Sequence, residues 1–200
     1  MAHSIAAACK PNRDELYTPK ILVDPLYAHL YCWAVKFHEK HNRMPVILSP
    51  WDTKNSEYVR GFKDKRYKED WKVLYGHIST GQDFWTHPYD HWDICISNPP
   101  FSQKKKIWEK LFELDKPFAL LSNVMALNYM EIGSLFAEKQ INEQQIQLLL
   151  FDKRVSFDGN PSSFASGYYC YNFLSDNLIF EHLPHCNSGK DFKPSRMYES

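Results

Sequence analysis

Apolar positions along this chain recur in two alternating rhythms, one spaced for helices and one in short continuous runs that suit buried strands. The first clear signal is Asp24-Pro25, an N-cap with proline at the first helical position, followed by Leu26, Leu30, Trp33, Ala34 and Phe37 on one face. It predicts a helix that stops before Asn42-Arg43-Met44-Pro45. Val46-Ile47-Leu48, closed by Ser49-Pro50, predicts a strand, and Ser56 to Phe62 a short helix. After the charge-dense segment Lys63 to Asp70, Lys72 to Tyr75 reads as a second strand and Ile94 to Ile96 as a third, ended by the breaker Asn98-Pro99-Pro100. Helical spacing returns with Ile107, Trp108, Leu111 and Phe112 in Gln103 to Leu114, then the buried-strand run Phe118 to Leu121. Leu127 to Lys139 predicts another helix with Leu127, Met130, Leu135 and Phe136 inward, and Ile146 to Phe151 another strand.

Past Phe151 the rhythm changes. Val155 to Phe157, Tyr168 to Leu174 and Leu178 to Phe180 read as strands without helices between them, and Asp158 to Ser163 carries turn chemistry. The whole pattern predicts an α/β fold: a mostly parallel sheet with helices on both faces and an antiparallel C-terminal hairpin. Ligands of such sheets bind at the carboxyl ends of the strands, here Ser49 to Asp52, Gly76-His77, Asn98 to Phe101 and Ser122-Asn123.

Composition narrows the function classes. At 200 residues, 44% hydrophobic and 16% aromatic, the chain has material for one packed domain, and no repeat or linker divides it. Lys+Arg and Asp+Glu both number 24, so any nucleic-acid contact must come from local patches rather than a global basic field. Apolar runs such as Leu148–Phe151 after Ile146 are far too short for a membrane span, and the Ile5–Cys9 patch lacks the form of a signal peptide. Five cysteines without a Cys-x-x-Cys pair fit buried thiols in a reducing cytoplasm. His38 with His41 and His87 with His91 lack a third ligand at a recognised spacing, so no metal is expected. Neither a Gly-Lys-Ser/Thr phosphate loop nor a Gly-x-Ser-x-Gly nucleophile turn is present, which sets aside kinase, NTPase and hydrolase readings.

One segment carries chemistry. Trp92 to Phe101 joins a buried-strand pattern to an amide, two prolines and an aromatic ring. The prolines stiffen the turn and leave the Pro99 carbonyl free to point at a ligand beside the Asn98 side chain. Two converging acceptors match an exocyclic amine, and Phe101 can stack on a flat heterocycle, so an adenine amino group fits. The bland alternative is that the triplet ends a strand and Phe101 packs inside.

Asn98-Pro99-Pro100-Phe101 resembles the catalytic Asn/Asp-Pro-Pro-Tyr/Phe motif of S-adenosylmethionine-dependent amino methyltransferases, particularly the small phage-type DNA adenine-N6 methyltransferases. Asp14 to Pro19 is similar to that family's Tyr-Thr-Pro cofactor segment, and Gly81 to Phe84 to its acidic-aromatic loop. Phe151 to Phe157 and Phe164 to Tyr168 resemble the region around its target-base pocket. The resemblance implies a Rossmann-like methyltransferase domain over residues 14–183, with 187–200 a polar tail, in the cytoplasm of a bacterial or phage-infected cell and serving restriction-modification. It implies Asn98, Pro99, Pro100 and Phe101 as catalytic, with a flipped-out DNA adenine as acceptor and S-adenosylmethionine as methyl donor. An RNA adenine or a protein glutamine is the alternative acceptor, and a noncatalytic protein retaining the fold is the alternative outside enzymes.

For the cofactor, the resemblance implies Tyr17, Thr18, Pro19, Pro50, Asp52, His77, Asp83 and Phe84. The family's glycines after the first strand are missing from Ser49 to Thr53, and its acid after the second strand is replaced by Gly76-His77. Local explanations stand beside several of these roles: Thr18 as an N-cap before Pro19, His77 as a satisfied histidine, Asp83 as a turn residue and Phe84 as core. Candidate nucleic-acid contacts are Lys104 and Lys105, directly after the motif, and Lys153, Arg154, Ser162 and Ser163 in the later loop. A solvated helix face and a plain hairpin loop are the corresponding bland readings.

Overall fold

The computed structural model describes residues 17–62, 71–157 and 165–184. Ser162, Ser163, the basic cluster of Lys63 to Lys68 and the tail 187–200 lie outside the described residues. The elements run α1 (Lys20–His41), β1 (Val46–Ser49), α2 (Glu57–Gly61), β2 (Lys72–Tyr75), β3 (Ile94–Ser97), α3 (Lys104–Glu113), β4 (Phe118–Asn123), α4 (Met130–Ile141), β5 (Gln147–Phe151), β6 (Ser166–Tyr171) and β7 (Leu178–Glu181).

The strands form one sheet in the order β2-β1-β3-β4-β6-β5-β7. β1 pairs in parallel with β2 and β3, and β3 with β4. β6 is inserted between β4 and β5 and runs antiparallel to both, while β7 joins β5 in parallel. The expected α/β sheet, mostly parallel with an antiparallel part, is therefore present. Its antiparallel part is β6 with both neighbours, β4 and β5, and β7 extends the edge beside β5 instead of closing a hairpin on β6. Val155 to Phe157 is not a strand; its apolar side chains instead pack into the layer beneath α1 and α2.

Period-two alternation decides the layers. Ile47, Ile94, Ile96, Ala119, Leu121, Tyr168 and Cys170 face α1 and α2, packing against Leu22, Leu26, Leu30, Tyr58 and Val59. Their alternates Leu48, Cys95, Phe118, Leu120, Tyr169 and Tyr171 face α3 and α4, packing against Ile107, Trp108, Leu111, Phe112, Leu135 and Phe136. Helices thus cover both faces. Between β2 and β3 no α-helix intervenes: a 3-10 turn (Ile78–Thr80) and an aromatic loop fill that crossover, with Phe84, Tyr89 and Trp92 packing on the α3/α4 side.

The first helix begins five residues earlier than the sequence predicts. Pro19 precedes it, Pro25 lies inside it, and the Asp24 side chain pairs with Lys20 one turn back instead of capping. Pro25 is the sixth helical residue, past the first turn, so the helix goes without the bond that an N–H there would give the Ile21 carbonyl. The helix ends as predicted at Asn42, whose left-handed backbone (φ 51°) returns its N–H to the His38 carbonyl at 2.7 Å. β3 is fixed at its start by Asp93, which accepts two 2.7 Å bonds from Arg43 and one from the Val46 amide. Among the described residues no helix is long and apolar enough to cross a membrane, and no group of three His, Cys, Asp or Glu side chains gathers in a metal-ligating arrangement.

Candidate functional site

Parallel pairing brings the carboxyl ends of β1, β3 and β4 side by side, with β2 flanking β1. The chain leaves β3 through Asn98, half-buried, Pro99, buried, and Pro100, whose φ of −59° is the proline value. Phe101 opens a 3-10 turn (Phe101–Gln103) that runs directly into α3. Neither the Asn98 side chain nor the Pro99 carbonyl has a hydrogen-bond partner among the described residues. Polar groups this near the interior are ordinarily satisfied, so the pair is available to an incoming donor.

Phe101 is 37% exposed rather than packed inside. The Lys104 ammonium lies 4.2 Å from its ring centroid, and Lys104 is itself buried. That cation–π contact fixes the ring and engages Lys104 inward, so of the two lysines expected at this edge Lys105 is the exposed one.

Beneath the loop, β1 and β3 are cross-tied. Ser49 Oγ donates to the Ile96 carbonyl at 2.8 Å, and Ser97 Oγ donates to Asp52. Asp52, read from sequence as a cofactor contact, is turned into the protein, where Ser56 also bonds it. Ser97 directly precedes Asn98, so Asp52 holds the start of the Asn98–Phe101 loop against the turn after β1. Burial pushes the Asp52 carboxyl up to about 7, against the lowering effect of the Ser97 and Ser56 hydrogen bonds. Between about pH 4 and 7 the folded chain then holds a proton that the unfolded chain has released. This contribution to stability is complete below pH 4 and is lost as pH rises through 7. We expect urea midpoints of the native chain to fall between pH 5 and pH 8, and Asp52→Asn to flatten that dependence. Identical pH profiles for the two proteins would count against the assignment.

Next to Asp52, the Tyr58 hydroxyl bonds that of Tyr168 at 2.9 Å, and Tyr168 donates to the Leu22 carbonyl at 3.0 Å. Tyr168 is fully buried beneath α1 and α2. Burial raises both phenols, which stay neutral at all ordinary pH values.

The N-terminal segment reaches this edge. Tyr17 bonds Thr53 Oγ1 at 2.7 Å, and Thr18 is buried beside it, facing the Tyr58 hydroxyl. Thr18 does not cap α1; Pro19 occupies the cap position. Pro50 is buried under the same turn. On the other side, Phe84 packs on Trp51 with ring centroids 4.8 Å apart, making an aromatic wall between the ends of β1 and β2. Asp83 is a turn residue here: its carboxylate accepts from the Trp85 amide at 3.0 Å and its carbonyl from Thr86 and His87. His77 caps the adjacent 3-10 turn, its Nδ1 meeting Ser79 Oγ at 2.6 Å. At Gly76 a Cβ would lie 2.3 Å from the Tyr89 hydroxyl, so this glycine lets the aromatic loop close on β2.

Of the later basic residues, Lys153 donates to the Pro184 carbonyl at 3.2 Å, and Arg154 is exposed. Sequence reasoning did not single out Trp51, Ser97, Trp85 or Gln103. Trp85 donates through Nε1 to Gln103 Oε1 at 2.7 Å, joining the aromatic loop to the turn after Phe101. Eighteen residues separate that pair, and no local pattern signals it.

No protein-family model matches the chain. A stretch of 49 residues, 24% of this chain, is 37% identical to the type II methyltransferase M.EcoRI of Escherichia coli, of which it spans 15%. Among solved structures, a protein described as the modification subunit of a type I restriction enzyme from Vibrio vulnificus YJ016 is similar at a TM-score of 0.47 and 11% identity. That likeness covers 91% of this chain and 50% of the other. A dimethyladenosine transferase from Plasmodium falciparum is similar at a TM-score of 0.41 and 12% identity, over 78% of this chain and 62% of the other. The chain thus spans less than two thirds of each of these proteins.

Proposed function

We propose that this chain is an S-adenosylmethionine-dependent methyltransferase that modifies the N6 amino group of adenine in DNA. The observation that carries the reading is the pair of unpartnered acceptors, Asn98 Oδ1 and the Pro99 carbonyl, on a proline-stiffened loop at the end of a central parallel strand, with the face of Phe101 exposed beside them. The likeness of a 49-residue stretch to a type II methyltransferase supports the transferase class.

The donor supplies an activated methyl group on sulfonium. Trp51 and Phe84 fit its flat purine, and Tyr17, Thr18 and Thr53 stand where its other end would extend. The amine of a flipped-out adenine enters between Asn98 and Pro99, while Phe101 stacks on the base. Both acceptors draw on the amine's protons and stabilise the positive charge that grows on nitrogen as it bonds the methyl carbon and the carbon–sulfur bond breaks. The amine afterwards loses one proton to water, leaving N6-methyladenine and S-adenosylhomocysteine. The loop is held in place before substrate arrives, by Asp52 from below and Lys104 from the side, so acceleration comes from alignment and preorganisation. Lys105 and Arg154 are exposed and open to the phosphate backbone.

The test is transfer of labelled methyl from S-adenosylmethionine to unmethylated DNA, with RNA and protein acceptors in parallel, followed by nucleoside analysis. Label in N6-methyladenine of DNA is the expected result. Label only in RNA or in protein would move the acceptor. Absence of both transfer and calorimetric cofactor binding would leave a noncatalytic protein.

A further inference from the structure

Adjoining the candidate site is a cleft of about 550 Å³ lined by Trp85, Ser102, Gln103, Lys105, Lys106 and Glu131. The functional reading above leaves most of it unused. Its size falls within the range of about 300–1,000 Å³ common to small-ligand sites. Three features specify its occupant. First, Trp85 is 41% exposed although large and aromatic, and its indole N–H is already bonded to Gln103, so the ring is held in place with surface still open. A fixed open aromatic ring suits stacking on a base. Second, the charged lining is two lysines against the single carboxylate of Glu131, a net positive wall. Lys106 makes no ion pair with any described residue, and Lys105 only a 3.7 Å pair with Glu109 one helical turn on. Third, Ser102 and Gln103 directly follow Phe101 in the chain, so the cleft starts where the target base would stack.

We infer that this cleft binds the nucleotide next to the target adenine, its base stacked on Trp85 and its phosphate held by Lys105 and Lys106. The inference rests on the nucleic-acid reading of the neighbouring site and assigns Trp85, Gln103 and Lys106 to it. Gln103 is a positioning residue, fixing the indole. Stacking reads no particular base, so this subsite strengthens binding without setting sequence. The flanking base leaves the duplex stack, so a single strand binds as well as a duplex or better.

The test measures binding, not turnover. Fluorescence anisotropy of a labelled unmethylated 20-nucleotide DNA, single-stranded and duplex, is followed over a salt series for the full chain, with cofactor binding measured separately by calorimetry. Trp85→Ala is expected to weaken single-strand binding about tenfold, with Trp85→Phe restoring most of it. Lys105→Ala with Lys106→Ala is expected to lower the slope of log Kd against log salt by about one to two. Lys36→Ala, on the exposed side of α1, controls for loss of one positive charge elsewhere. Trp85 and both lysines are exposed, so these chains should fold, and unchanged thermal melts would show it.

If the native chain binds DNA and cofactor but the Trp85 and lysine variants bind DNA as it does, the cleft assignment fails while the transferase reading stands. If the native chain binds neither, the transferase reading fails and the inference goes with it. Equal losses in Trp85→Ala and Trp85→Phe would also overturn the stacking role.

Discussion

Asn98→Ala should lower the rate of methyl transfer by about 10²–10³-fold while cofactor binding, measured by calorimetry, stays within a few-fold of native. The magnitude is that of deleting one preorganised polar group aimed at developing charge. The Pro99 carbonyl remains in the variant, which is why a residual rate is expected. Asn98 is half-buried, its side chain meets no described partner, and the loop is fixed independently through Ser97–Asp52 and Phe101–Lys104, so the truncation leaves its surroundings in place. Asn98→Asp keeps an acceptor at the same reach and should recover part of the rate. A variant that transfers methyl within tenfold of native would remove Asn98 from the reaction. One that also lost the cofactor would make its role structural.

The largest loss of stability is expected at Trp108. It is fully buried between α3, α4 and the sheet, with its ring centroid 5.1 Å from those of both Phe136 and Tyr169. Trp108→Ala deletes an entire indole from a close-packed layer and should cost about 3–5 kcal/mol in urea unfolding at fixed pH, enough to unfold a marginal domain. Trp108→Phe should cost much less. The indole N–H is buried with no hydrogen-bond partner among the described residues, so phenylalanine removes an unsatisfied donor along with the lost contacts. Equal losses in the two variants would mean that ring size at this position, and not the burial of apolar area, controls the layer.

Much of this architecture is legible in local pattern. Four-residue runs such as Val46–Ser49 and Ile94–Ser97, and helical spacing such as Ile107, Trp108, Leu111, Phe112, give elements at their observed places to within a few residues. The loop Asn98 to Phe101 is legible for the same reason: a breaker directly after a buried run marks a strand's carboxyl end. The first helix was read too short because Asp24-Pro25 looks like a cap, and only its neighbours show that Lys20 takes the Asp24 carboxylate. Val155 to Phe157 has strand composition, but its apolar side chains are used in packing the core without joining the sheet, since strand propensity is decided by tertiary context.

Side-chain roles divide along the same line. That Asp52, Lys104 and His77 turn to Ser97, Phe101 and Ser79 could not be read from residue type, since an acid or a lysine beside a strand end has the same local signature whether it faces solvent or protein. Trp51 with Phe84 and Trp85 with Gln103 are 33 and 18 residues apart in the chain and meet only once β1, β2 and β3 lie side by side.

The sequence by itself therefore determined the elements, the alternating burial of their residues and the chemistry placed at the end of β3, because periodicity is set by neighbours a few positions apart. The tertiary structure alone decided the strand order, with β6 inserted between β4 and β5, and which polar and aromatic groups are spent on holding the loop and which are left open to a ligand. Those outcomes depend on packing between distant segments, where many partners satisfy the same local pattern and only close-packing of the two layers selects among them.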